Sequence, residues 1–106
     1  MSKFYGESFN GLKGLESYII NDTDYYKHQL VLMDNGDIYI YQDNDGDIDV
    51  EKVENIDTIL NYLEDQTTCK FDNHTIRLVN RAIGECEDKD SKICGYLFML
   101  DLELRK

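Results

Sequence analysis

The chain has 106 residues, of which 22 are acidic and 11 are basic, so its formal net charge is −11. One domain, residues 1–106, is the expected organisation at this length, and an apolar fraction of 42% supports one modest core. The negative charge excludes direct binding to nucleic acid or to an anionic membrane through the overall electrostatic field, because both need a positive surface.

The composition also indicates a compartment. No stretch has the length and apolarity of a signal peptide or a membrane span. The three cysteines, Cys69, Cys86 and Cys94, cannot all pair within one chain, whereas secreted disulfide scaffolds usually carry an even and denser set. The abundant Ile, Asn, Lys and Tyr residues have A/T-rich codons and indicate a low-GC bacterial or phage gene. We therefore expect a cytoplasmic protein of a bacterial host cell.

The first predicted element is a helix over residues 9–21. Ser8 is a candidate N-cap, and Phe9 and Ile19 belong to a set of apolar residues at helical spacing. Two glycines weaken this helix by about 1 kcal/mol each relative to alanine. The helix is therefore expected to be short and held by packing.

A three-stranded antiparallel meander is predicted over residues 27–53. The Asn35-Gly36 pair predicts a two-residue hairpin turn, which favours positive φ at both positions. The Asn-Asp-Gly sequence at residues 44–46 gives a second turn signal. Between and after these turns, apolar residues alternate with tyrosines and acids, as is typical of strands with one buried face.

The C-terminal half is predicted to contain one helix and two strands. Apolar residues from Ile56 to Leu63 follow helical spacing over residues 56–64, and Asn55 is a candidate cap. Strands are predicted over residues 75–83 and 93–104, with a polar loop between them. The fold class is therefore α+β, with an N-terminal and a central helix and an antiparallel sheet of about five strands.

The acidic excess is concentrated in the centre of the chain. Residues 34–65 contain eleven acids and one base, a net charge of −10. If Ile38, Ile40, Ile48 and Val50 face the core, the odd positions around them share one exposed face. The residues expected to bind a partner are Tyr39, Tyr41, Asp43, Asp45, Asp47, Asp49, Glu51 and Glu54.

The spacing of this expected face suggests a comparison with DNA. Residues two apart on a strand are separated by about 6.8 Å, roughly twice the 3.4 Å axial step of one duplex strand. A ladder of carboxylates interleaved with tyrosine could therefore imitate a phosphate backbone. An ordinary solvated face that blunts edge pairing accounts for the same pattern, and a register slip of one residue would exchange the faces.

Metal binding is the main alternative chemistry. Residues 43–49 resemble part of an EF-hand loop, but Tyr41 and Lys52 stand where the first ligand and the bidentate acid are needed. Four candidate zinc ligands lack the short paired spacings of structural zinc sites. These four are Cys69, His74, Cys86 and Cys94. We expect no specific metal site and no cofactor.

Catalytic motifs are also missing from the sequence. His28 lies beside a predicted strand and His74 in a predicted turn, and neither belongs to a recognised nucleophile motif. No glycine-rich phosphate loop occurs, and no pair of carboxylates is marked by an apolar pocket. We therefore expect a protein that is not an enzyme.

The length near one hundred, the acidic meander and its tyrosines resemble the small acidic phage proteins that inhibit CRISPR effectors and other DNA-binding host enzymes. The resemblance covers mainly residues 34–65. It implies a noncatalytic, DNA-mimicking inhibitor that occupies the basic groove of a host DNA- or RNA-binding effector, such as a CRISPR nuclease. The alternative is an interaction or immunity-type domain that binds through apolar surface, such as Phe4, Tyr5 and Phe9, or forms a homodimer through an open sheet edge.

Overall fold

The computed structural model describes residues 13–66 and 73–106. These residues form a four-stranded antiparallel sheet and three helices, which confirms the α+β class. The elements are β1 (Gly14–Asp22), β2 (Tyr26–Met33), β3 (Ile38–Asn44), β4 (Asp47–Lys52), α1 (Ile56–Gln66), α2 (Asn73–Glu85) and α3 (Lys92–Leu104). The strand order in the sheet is β1-β2-β3-β4, so β1 and β4 are its edges.

The predicted N-terminal helix is wrong over its described part, because this segment forms β1. Residues 9–12 of that prediction lie outside the described residues. The consecutive β-branched residues Ile19 and Ile20 favour a strand, and pairing with β2 satisfies the backbone. The pairing register shifts between Ile19 and Asn21, and this irregularity lets both Ile20 and the polar Asn21 be buried.

The predicted meander is confirmed as β2, β3 and β4, but its two turns are of different types. At the first turn, Met33 N–H donates to the Asp37 carbonyl and Gly36 N–H donates to the Met33 carbonyl. In this three-residue loop only Gly36 has positive φ, so the predicted two-residue turn is wrong there. The two-residue turn is Asp45-Gly46, where both φ angles are positive, 50° and 100°.

The central helix is confirmed as α1, which extends two residues beyond its predicted end. The Asn55 side chain accepts a hydrogen bond from the Asp57 backbone N–H over 3.0 Å, as expected of a cap. Ile59 and Leu63, four residues apart, are buried against the sheet and the other helices.

The two predicted C-terminal strands are wrong, because both segments are helices. Every second residue from Tyr96 to Leu104 is apolar, which favoured a strand, but the buried residues of α3 have helical spacing. These residues are Ile93, Cys94, Leu97, Leu100 and Leu104. The Ser91 side chain accepts from the Cys94 backbone N–H and caps α3. The sheet therefore has four strands instead of five.

The core lies between one face of the sheet and the three helices. Tyr18, Leu30, Ile38 and Ile40 contribute from the strands and pack in one cluster with the buried helical residues. Within the described residues, no helix has both the length and the apolarity needed to cross a lipid bilayer.

Candidate functional site

The pairing of β3 with β4 decides which side chains of this hairpin share a face. Tyr41 lies opposite Val50, and Gln42 lies opposite Asp49. Directly opposite residues of an antiparallel pair point to the same face of the sheet. The prediction that the tyrosines and the β4 acids share one exposed face is therefore wrong.

The cause is the two-residue turn. It joins Asn44 to Asp47, so an even position of β3 always pairs with an odd position of β4. The alternation of apolar residues in the sequence predicts instead that even positions of both strands share a face. Ile48 and Val50, expected in the core, lie instead on the face of the tyrosines, where Ile48 is 52% exposed and Val50 is half-buried.

The acids of β4 all point to the same face of the sheet as the helices. We call Asp47, Asp49 and Glu51 the acidic row; all three are exposed. They occupy alternate positions of an edge strand, so successive Cα atoms are about 6.8 Å apart. The carboxylate ladder expected from the sequence is thus present on β4, without the tyrosines.

The other expected partner-binding residues lie around this row. Asp45 is exposed at the tip of the β3–β4 hairpin, residues 38–52, which we call the acidic hairpin. Glu54 is exposed just after β4. Tyr39, Tyr41 and Asp43 are half-buried on the opposite face of β3. The acids therefore occupy the tip and both faces of the hairpin.

Three of these acids also accept hydrogen bonds that shape the hairpin. Asp43 Oδ1 accepts from the Gly46 backbone N–H over 2.9 Å, which supports the turn. Asp49 Oδ2 accepts from Gln42 Nε2 over 3.5 Å. Glu51 Oε1 accepts from the Tyr62 hydroxyl over 3.4 Å, which links the acidic row to α1.

The charged side chains of this region are mostly acidic, although Lys27 lies opposite Asp43 on the neighbouring strand. Burial, followed by the charges of Glu51 and Asp49, raises the pKa of Tyr62, so its hydroxyl stays a proton donor. Lys52, the one base of the hairpin, pairs with Asp37 at 3.6 Å. Among the described residues, no ion pair neutralises the acidic row, the tip or Glu54.

The fold adds acids that the sequence interpretation did not place at this site. The β1–β2 turn lies beside the β3–β4 turn, and together they line an open groove of about 240 Å³. Asp22, Asp24 and the 71% exposed Tyr25 line it with Asp43 and Asp45. The run Asn21-Asp22-Thr23-Asp24 has turn composition and was the available signal, but a predicted helix ended there.

Within residues 13–66 and 73–106, no group of three His, Cys, Asp or Glu side chains is placed to hold a metal ion. Of the candidate zinc ligands, Cys69 lies outside the described residues. His74 Nε2 donates to the Asp22 carbonyl over 2.9 Å. Cys86 and Cys94 are buried free thiols, and burial raises the pKa of Cys86 to about 11.

A polar row crosses the sheet from its buried part to the acidic hairpin. Asn21 Nδ2 donates to His28 Nδ1 over 3.0 Å, and His28 Nε2 donates to Gln42 Oε1 over 3.0 Å. Gln42 then donates to Asp49 of the acidic row. The amide orientations assign the His28 proton to Nε2. Residues paired across all four strands thus connect the core to the site.

We expect the protein to lose stability as the pH falls below about 6.5, the ordinary value for histidine. Burial lowers the pKa of the fully buried His28. The unfolded chain therefore binds a proton before the folded chain does, and the free energy of unfolding decreases as pH falls through this interval. Urea midpoints at pH 7.5, 6.5 and 5.5 measure the effect.

A matched pair of variants assigns this pH dependence. His74→Gln should keep the loss of stability, whereas His28→Gln should show a smaller loss over the same pH range. Carboxyl groups titrate mostly at lower pH, so they contribute little there. An equal pH dependence in both variants would show that His28 is not the source.

No protein-family model, curated protein or solved structure matches this chain. An exposed set of carboxylates on a sheet edge, with tyrosines on the opposite face, can bind a cationic surface through charge-assisted hydrogen bonds.

Proposed function

We propose that this protein is a noncatalytic inhibitor that binds the basic nucleic-acid-binding groove of a host DNA- or RNA-binding effector through its acidic hairpin. The observation that carries the proposal is the exposed, evenly spaced acidic row on edge strand β4, continued by Asp45 at the tip. Within the described residues these carboxylates have no ion-pair partner.

The shape of the hairpin suits a groove better than a flat surface. Because the acids lie on both faces and at the tip, a basic partner would have to surround the hairpin to reach them all. Asp43 faces one side with Tyr39 and Tyr41, and the acidic row faces the other. A groove lined by Lys and Arg on both walls, as nucleic-acid channels are, provides that arrangement.

The repeat of the acidic row supports competition with nucleic acid. Its step of about 6.8 Å is close to two phosphate steps of about 3.4 Å along one strand of a duplex. Lysine and arginine side chains arranged to meet phosphates could therefore meet carboxylates at alternate positions. Apolar Ile48 and half-buried Tyr41 on the other face offer contact area beside these charges.

The charge of the whole chain supports the same partner. A net charge of −11 attracts a basic surface over a distance of about one Debye length and accelerates association at low salt. It also repels nucleic acid itself, so the protein and the nucleic acid should compete for the effector and should not form a ternary complex in the groove.

We expect the immobilised protein to retain nucleic-acid-binding proteins from a nuclease-treated bacterial lysate at low salt. Rising NaCl should release them, because the contacts are mainly electrostatic. Each retained protein is then purified, and its binding to fluorescently labelled DNA or RNA is measured by anisotropy while the acidic protein is added. Inhibition predicts that the labelled nucleic acid is displaced.

Two results would refute the proposed function. One is that the retained proteins have no affinity for nucleic acid. The other is that an effector bound by the acidic protein still binds its nucleic acid with unchanged affinity. The nuclease treatment is essential, because effectors already filled with nucleic acid would have no free groove.

A further inference from the structure

Helix α3 is apolar on its exposed side as well as on its buried side. Its buried residues contact the other helices and the sheet. On the opposite side, Phe98 is 44%, Met99 46% and Leu102 65% exposed. A helix that is apolar all round is normally covered on all sides, so the structure leaves this apolar side of α3 without a described partner.

The exposed residues form one continuous stripe. Gly95, Phe98, Met99 and Leu102 lie within about 100° of one another around the helix, at 100° per residue. Gly95 leaves the stripe without a side chain at that position, and nothing lies within 4 Å of where a Cβ would be. Phe4, Tyr5 and Phe9, the apolar surface expected from the sequence, lie outside the described residues.

We propose that the stripe is a homodimerisation surface, on which α3 of a second copy packs antiparallel. The two-fold axis of this arrangement passes between Phe98 and Met99. It places Leu102 of each copy against Gly95 of the other. The leucine fills the gap that the glycine leaves, as small residues allow helices to approach closely. The surface is then isologous, as in most homodimers.

The charges beside the stripe support a second copy as the occupant. Lys92 and Glu103 lie on the same flank of α3, the flank of Met99, and Glu103 also pairs with Lys106 of its own chain at 2.7 Å. In the antiparallel arrangement, Lys92 comes within two residues, about 3 Å along the axis, of Glu103 of the second copy. This pairing occurs twice. A parallel two-fold arrangement would not form it, because it brings opposite flanks of the two helices together.

The wider charge distribution also permits self-association here. Residues 66–106 contain seven acids and seven bases, whereas the excess of negative charge lies in residues 34–65. The exposed side of α3 faces away from the sheet that carries β4. A dimer through α3 would therefore leave two acidic hairpins free, and the inference does not depend on their proposed function.

The size of the stripe sets the expected affinity. A 13-residue helix is about 20 Å long, and one helical face buries less than the roughly 800 Å² per partner of a standard interface. We therefore expect a reversible dimer with a dissociation constant in the micromolar range. Sedimentation velocity from about 5 μM to about 500 μM covers that range.

Two substitutions of equal charge separate this surface from other exposed apolar residues. Leu102→Glu should weaken the dimer by about tenfold or more, because a carboxylate would be buried against the second copy. Leu15→Glu is the control, since Leu15 is 58% exposed on β1, away from α3. Circular dichroism should show both variants folded, because both sites are exposed.

A charge exchange tests the second copy and its orientation. Lys92→Glu alone and Glu103→Lys alone should each weaken the dimer, and the double variant should restore it. A chain that stays monomeric at every concentration overturns the proposal, as does a dimer that Leu102→Glu leaves intact. Failure of the double variant to restore association overturns the antiparallel arrangement.

Salt distinguishes this association from binding by the acidic hairpin. The dimer should persist in about 0.5 M NaCl, because salt does not screen its apolar contacts and weakens both the Lys92–Glu103 attraction and the repulsion between two negatively charged copies. Hairpin binding should weaken under the same conditions. Loss of the dimer with added salt would contradict an apolar surface.

Discussion

Replacing His28 with alanine is expected to lower the free energy of unfolding by about 3 kcal/mol. His28 is fully buried and is hydrogen bonded at both ring nitrogens, to Asn21 and to Gln42. The substitution removes the hydrogen-bond partner of Asn21 Nδ2 and that of Gln42 Oε1, and both amides are buried. It also leaves a cavity beside Tyr62, whose ring meets the imidazole edge at a centroid distance of 6.4 Å.

Urea unfolding at pH 7.5 measures this loss, and the other histidine provides the control. His74 is exposed and makes one hydrogen bond to a backbone carbonyl. We expect His74→Ala to cost less than about 1 kcal/mol. Equal costs for the two variants would contradict a structural role for the polar row. If His28→Ala is the more destabilising variant, a double-mutant cycle between His28 and Gln42 measures the coupling free energy of these two side chains.

The sequence predicted the meander and α1 because local and tertiary preferences agree there. Turn residues such as Gly36 and Gly46 occur where the chain reverses, and the Asn55 cap precedes a clear helical stripe. The N-terminal and C-terminal segments lack this agreement. In β1, the preference of two β-branched residues for a strand outweighs the loose helical spacing of the apolar residues.

The last helix shows why periodicity alone could not decide. Residues 96–104 are apolar at nearly every position, so they fit an alternating pattern and a helical pattern equally well. The Ser91 cap and the four-residue separation of Ile93 and Leu97 identify a helix and not a strand. That separation is informative only when it is known that both residues are buried.

The position of the candidate site was predictable, whereas its faces were not. The concentration of acids in residues 34–65 is visible in the sequence, and five of these eleven acids lie on the acidic hairpin. Which acids share a face depends on the two-residue turn at Asp45-Gly46, since a turn one residue longer would exchange the faces of β4. Asp22 and Asp24 join the site only because β2 pairs with β3, which brings the β1–β2 turn beside the tip of the hairpin.

The binding affinity of the acidic hairpin for an effector retained by the protein tests the central claim most directly. The variant Asp45→Asn, Asp47→Asn, Glu51→Gln removes three charges from the hairpin and keeps the shape of each side chain. Asparagine tolerates the positive φ of residue 45. The control variant Asp34→Asn, Glu87→Gln, Asp90→Asn removes three charges from exposed positions elsewhere.

Both variants change the net charge equally, so a difference between their dissociation constants shows that the position of the removed charges matters. We expect the hairpin variant to raise the dissociation constant about 100-fold and the control variant to raise it less than about threefold, at low salt. Circular dichroism should confirm that both remain folded. Equal effects of the two variants, or no effect of the hairpin variant, would contradict binding through the acidic hairpin.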